Sequence, residues 1–257
     1  MAHASIGLRS RPGRATIRAC RGCRAPSAST RRTRRCYERG TSGQRCTAGS
    51  RIIVQEGVYD ALCEKLAEGA KKQRVGHGWS DEIEVGPLVR PEAVEKTERY
   101  VKIGQEEDGA RLVCGGKRPE VDGDIANGYY FEPTVFADVT PNMRIAQEEI
   151  FGPVTALIKV KDLDEAIEVY NGTPYGLSGA IITRDYAKMM RAMRELTAGI
   201  VYLHNGTIGA EVHLPFGGVK ATGNGHREAG IAGIDFYSES KTVYMDWSGG
   251  LQRAQID

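Results

Sequence analysis

An α/β fold with a mostly parallel sheet flanked by helices is what the sequence predicts, on three observations. The chain of 257 residues, 40% hydrophobic and 26% charged, has ordinary globular composition and enough length for a sizeable core. Residues 58–75, VYDALCEKLAEGAKKQRV, repeat their apolar positions at helical spacing. Beyond Phe151, strand-length apolar runs alternate with helix-period segments, the pattern of βαβ units in a parallel sheet with helices on its faces.

In chain order, the first helix spans some four to five turns from Gly57, with Val58, Leu62, Leu66 and Val75 near its apolar face and Asp60, Glu64 and Glu68 on the wet side. Pro91 to Glu107 predicts a second helix, because proline suits a first helical turn. After Asn127 to Pro133 comes the strand TVFADV, residues 134–139. Then follow a strand at 154–160, a helix capped by Asp162, a strand in GLSGAIIT, a helix from Asp185 to Leu196 and a strand in GIVYLH. The tail, with KTVYMDW at 241–247, alternates at period two; an exposed terminal strand invites pairing with another subunit.

Charge divides the chain. Residues 1–40 hold 11 Arg, no Lys and one acid, Glu38; the remainder keeps 24 basic and 32 acidic side chains, a net of −8. A mildly acidic body argues against nucleic acid or an anionic membrane as partner. No stretch approaches the roughly 18 apolar residues of a membrane span, and no apolar signal core opens the chain, so a cytoplasmic protein is expected. The six cysteines are irregularly spaced in a chain too large to need disulfide staples, so reduced thiols are expected. Cys20 and Cys23 form a CxxC with no second pair, and no metal site is expected.

Three segments carry chemistry. In GQRCTAGSR, residues 43–51, Cys46 follows Arg45 and opens a run of small residues suited to an exposed turn. A neighbouring cation, and a helix starting after the TAGS turn, would favour the reactive thiolate. In QEEIFGPV, residues 147–154, Glu148, Glu149 and Phe151 stand before a Gly-Pro turn at the entry to a strand. The third, PFGGVKATGNGHREAG at 215–230, is preceded by Gly209 and Ala210 and is rich in glycine, which permits positive φ and close approach of backbone to a ligand. His204, His213 and His226 have no acid partner at a useful spacing and receive no role.

Together, in this order, the three segments resemble the aldehyde dehydrogenase superfamily, and the resemblance runs from about Gly40 to Asp257. It implies the catalytic domain of that family over residues 41–239 and a C-terminal oligomerisation strand over 240–257. It further implies that Cys46 adds to an aldehyde, that the thiohemiacetal gives hydride to NAD or NADP, and that activated water releases the acid. Glu149 then corresponds to the residue holding the nicotinamide ribose, and Phe151 to the one packed on the nicotinamide. Phe216 lines the aldehyde tunnel, and Gly209 and Ala210, aided by Arg45, grip the carboxylate of a semialdehyde. The nearest likeness is to the aminoadipate-semialdehyde, pyrroline-carboxylate and ketoglutarate-semialdehyde dehydrogenases. Partners implied are a small aldehyde and further copies of the chain.

The resemblance fails ahead of Gly40, where residues 1–40 are expected to be a disordered, non-native or frame-shifted leader; an Arg-rich transit peptide is the other reading. The family sets a dinucleotide-binding domain before its cysteine, yet 45 residues precede Cys46, with no GxGxxG after a strand and no ELGGK-like segment bearing the general base. Two alternatives follow: an inactive remnant that keeps fold and subunit interface, and a thiol hydrolase, for which no Cys-His pair is visible.

Overall fold

The computed structural model of the chain describes residues 4–7, 41–120 and 126–250. Its centre is a seven-stranded sheet. In chain order the strands are β1 (Ala4–Gly7), β2 (Arg51–Gln55), β3 (Arg111–Cys114), β4 (Thr134–Val139), β5 (Val154–Val160), β7 (Ser178–Ile182) and β8 (Ile200–Leu203). Across the sheet they run β3-β4-β5-β2-β1-β7-β8, with only the β3–β4 pair antiparallel. A two-stranded ribbon, β6 (Tyr175–Gly176) with β9 (Val219–Lys220), stands apart. The helices are α1 (Glu56–Lys71), α2 (Pro91–Lys102), α3 (Arg144–Gln147), α4 (Leu163–Asn171), α5 (Tyr186–Glu195) and α6 (Gly230–Phe236).

The central strands are buried on both faces, which is what helices on either side of a parallel sheet produce. Along β2, Ile52 and Val54 join Leu157 of β5 in a cluster under α1, while Ile53 points the opposite way into a cluster with α4 and β7. Ala156 and Ile158 of β5 face a third cluster containing Val94, Tyr100 and Val101 of α2 and Phe136 of β4. Ile52, Ile53 and Val54 are each at most 2% exposed, so each contributes about 1.5–3 kcal/mol of burial.

The mostly parallel α/β architecture agrees with expectation, but several particulars differ. On α1 the buried stripe is Tyr59, Cys63, Leu66, Ala67 and Ala70; Leu66 lies on it as expected, while Val58 and Leu62 pack half-buried at its flank. That helix ends at Lys71, and Val75 instead bridges to Val85. The second helix covers the anticipated span but changes character: α2 gives way to a π-helical turn at Ile103–Glu107, where Asp108 N donates to Ile103 O. Gly104 sits there because an added Cβ would lie 2.9 Å from the Phe136 ring.

The expectation of a disordered leader needs correction at Ala4–Gly7, which pair in parallel with β2 on one side and β7 on the other. These four residues complete the ladder between two strands that would otherwise present open edges inside the sheet. The remainder of 1–40 lies outside the described residues. Residues 240–250 carry no strand in this single chain; Val243, Tyr244, Met245 and Trp247 stand 69–87% exposed. Among the described residues, no helix is long and apolar enough to cross a membrane, and no group of three or more His, Cys, Asp or Glu side chains is disposed to hold a metal ion.

Candidate functional site

The segment bearing Cys46 runs directly into β2, and the segment bearing Glu149 and Phe151 runs directly into β5. These strands are parallel neighbours, with Arg51 opposite Ala156, so their starting ends share one edge of the sheet. The two segments then touch. Gly43, at φ +69°, lies so close to the second segment that an added Cβ would fall 1.9 Å from Gly152 O. Only glycine permits both that φ and that approach.

Side chains fix the rest of the cysteine segment. Ser42 Oγ donates to Gly86 O at 2.7 Å, and Val89 N donates to Gln44 Oε1 at 2.9 Å. Ala48 N closes a turn on Arg45 O at 2.9 Å, with Cys46 at its second position. Thr207 Oγ1 donates to Thr47 O at 2.5 Å. Arg51, 3% exposed, donates through Nη1 to Ala146 O and so ties the start of β2 to α3; burial lowers its pKa to about 10. The chain after the TAGS turn enters β2 and not a helix, so a helix N-terminus makes no contribution to the thiol.

Cys46 is a half-buried thiol, in no disulfide, on the wall of a cavity of about 520 Å³. Phe216 lines the same cavity, with Leu177, the residue before β7. The glycine-rich segment that bears Phe216 also lines it through Gly217, Gly218, Thr222 and Gly223. Its position is set by the β6–β9 pairing, by the bridge in which Phe216 and Glu228 exchange hydrogen bonds of 2.6 and 2.8 Å, and by Gly199, where a Cβ would meet Gly217 O at 1.8 Å. Cys63 and Cys114 are buried at 6% and 8% exposure, as structural thiols should be, and burial pushes the Cys63 thiol pKa up.

The paired acids have different surroundings. Glu148 accepts from Arg144 Nε at 2.9 Å and from the Tyr100 hydroxyl at 2.6 Å; Arg144 foremost, then Tyr100, holds its carboxyl below the usual range. Glu149 is half-buried beside it. Phe151 takes φ +56°, uncommon for a bulky residue, and stands 39% exposed.

Neither Glu149 nor Phe151 lines the Cys46 cavity, although the Gly43–Gly152 contact joins their segments. Arg45, Gly209 and Ala210 are exposed and stand outside its lining; Gly209, at φ +125°, has open space around it. His226, Arg227 and Glu228, which carry no role in the sequence reading, do line it, as do Phe236 and Tyr237. The signal that could have found them is their place in one glycine-rich segment with Phe216.

The sequence profile of the aldehyde dehydrogenase family matches residues 38–243. An alpha-ketoglutarate semialdehyde dehydrogenase of Haloferax volcanii is 47% identical over 206 residues, 80% of this chain and 42% of that protein. A 1-pyrroline-5-carboxylate dehydrogenase of Bacillus licheniformis is 42% identical over 79% of this chain and 38% of that protein. The chain thus spans well under half the length of these relatives. Among solved structures, a Staphylococcus aureus betaine aldehyde dehydrogenase in complex with NAD+, with a BME-modified cysteine, superposes with a TM-score of 0.82 at 32% identity, covering 97% of this chain and 47% of its own.

Proposed function

Because the chain belongs to the aldehyde dehydrogenase family, we propose that it carries the thiol, the aldehyde pocket and the nicotinamide-end contacts of an NAD(P)-dependent enzyme that oxidises a carboxylated semialdehyde. The observation that carries this reading is the placement of the Cys46 thiol and Phe216 on the walls of one cavity. Cys46 sulfur bonds to the aldehyde carbon, giving a thiohemiacetal, while Phe216 packs the carbon chain. Glu149 holds the ribose hydroxyls and Phe151 packs on the nicotinamide. When bound, the nicotinamide supplies the hydride acceptor. The exposed backbone N–H groups at Gly209 and Ala210, with Arg45, grip the substrate's carboxylate; an anion gains from charge-assisted bonds to such donors.

A carboxylated semialdehyde is favoured because the relative at 47% identity bears an alpha-ketoglutarate-semialdehyde name, whereas at 42% the names divide between 1-pyrroline-5-carboxylate and betaine aldehyde. A cytoplasmic setting and assembly through residues 240–257 belong to the same reading. The test is a chimera in which the complete upstream domain of a close relative replaces residues 1–40. NADH should form with a carboxylated semialdehyde and cease in Cys46→Ala; turnover that survives Cys46→Ala would refute the assignment.

A further inference from the structure

We infer that Thr207 is a positioning residue for the nucleophile: its hydroxyl locks the turn that aims Cys46 into the cavity. The inference rests on the reading of Cys46 as the thiol that adds to the aldehyde. Thr207 follows β8 in a loop whose start is fixed by the donation of His204 N to Ile181 O at 2.9 Å. It is 2% exposed, and its Oγ1 reaches across 160 residues of sequence to Thr47 O at 2.5 Å. Thr47 is itself only 4% exposed, so that carbonyl needs a protein donor.

The peptide that joins Thr47 to Ala48 is thereby held at both poles. Its carbonyl oxygen accepts from Thr207, and its N–H, on Ala48, donates to Arg45 O at 2.9 Å. Held at both poles, that peptide cannot rotate, which fixes the second half of the Arg45–Ala48 turn and, with it, the stretch of backbone from which Cys46 projects its thiol. Thr207 also begins the stretch leading to Gly209 and Ala210, so the same hydroxyl couples the loop proposed to hold the carboxylate to the thiol proposed to attack the aldehyde. Without it the buried carbonyl must turn toward another donor and take the turn with it.

The test uses the full 257-residue chain and the rate at which iodoacetamide labels Cys46, read by peptide mass mapping, with increasing succinic semialdehyde as competitor. The readout is the semialdehyde concentration that halves the labelling rate. Thr207→Val keeps the shape and loses the hydroxyl; Thr207→Ser does the reverse. Thr207→Val and Thr207→Ala should raise the half-protecting concentration about tenfold, and Thr207→Ser should stay within about twofold, as expected for a single buried hydrogen bond. If the valine variant does not fold, the serine and alanine variants, which differ by one oxygen, carry the comparison. Protection unchanged in the valine and alanine variants, or lost in serine and kept in valine, would overturn the positioning role and leave the nucleophile standing. No protection in the unsubstituted protein would overturn both.

Discussion

Gly43→Ala tests whether contact between the cysteine turn and the Gly152 turn holds the site together. The added Cβ would lie 1.9 Å from Gly152 O and 2.5 Å from Gly152 C, about 1 Å inside the 3.0 Å limit that real Cβ atoms respect. Both are backbone atoms and have no rotamer into which to escape. A left-handed φ of +69° adds a cost of about 1–2 kcal/mol for alanine. Overpacking adds about 1–3 kcal/mol. A total near 3 kcal/mol should lower the melting temperature by about 6–12 °C in a chain of this size. Gly69→Ala is the control, because that glycine lies inside α1 with nothing within 4 Å of its Cβ position. It should gain about 0.5–1 kcal/mol from helix propensity. Thermal unfolding followed by circular dichroism reads both. A Gly43→Ala protein melting within about 2 °C of the parent would mean that the two turns are not welded as described, and the argument for a shared site would fail with it.

Limiting iodoacetamide at neutral pH should label Cys46 ahead of Cys63 and Cys114, which are 6% and 8% exposed; peptide mapping that finds equal labelling would remove Cys46 from its role. Glu148→Gln should lower stability at pH 7. The native carboxyl titrates below the ordinary 4.5, so its stabilisation is complete above that value and lost as pH falls through the depressed one. The difference in melting temperature between parent and variant should therefore close as pH drops below 4.5, and a constant gap would contradict the Arg144–Glu148–Tyr100 network. Deleting residues 241–257 should shift any oligomer toward monomer or aggregate by light scattering; unchanged mass would dismiss the tail as an interface. The 257-residue polypeptide alone should oxidise aldehydes at least about 10⁴-fold more slowly than a full-length relative, since remote cofactor contacts and a general base each contribute to turnover. Turnover comparable to such a relative would refute this.

Much of the fold was legible, and the omissions have physical causes. The strands at 134–139, 154–160 and 178–182 and the helices capped by Asp162 and Asp185 declared themselves because each is a run of adequate length with a capping or turn residue at its start. β2 was missed because RIIVQ is buried on both faces; it shows no alternation and has only three apolar residues. α6, GIAGIDF, holds two glycines in seven residues and offers weak helical propensity. In the site, Cys46 stood out by its local residue chemistry and Phe216 by the resemblance its segment carries, whereas Glu228 reaches the cavity through a bridge to Phe216, and bridges obey no fixed spacing. Missing β2 had a larger consequence than the loss of one strand. In a parallel sheet, segments that precede neighbouring strands converge at the same edge however far apart they lie in sequence. Had Arg51–Gln55 been recognised as a strand, its pairing with Val154–Val160 would have placed the cysteine turn beside the Glu149–Phe151 turn on topology alone. The glycines at 43 and 152 would then have read as the place where two backbones touch.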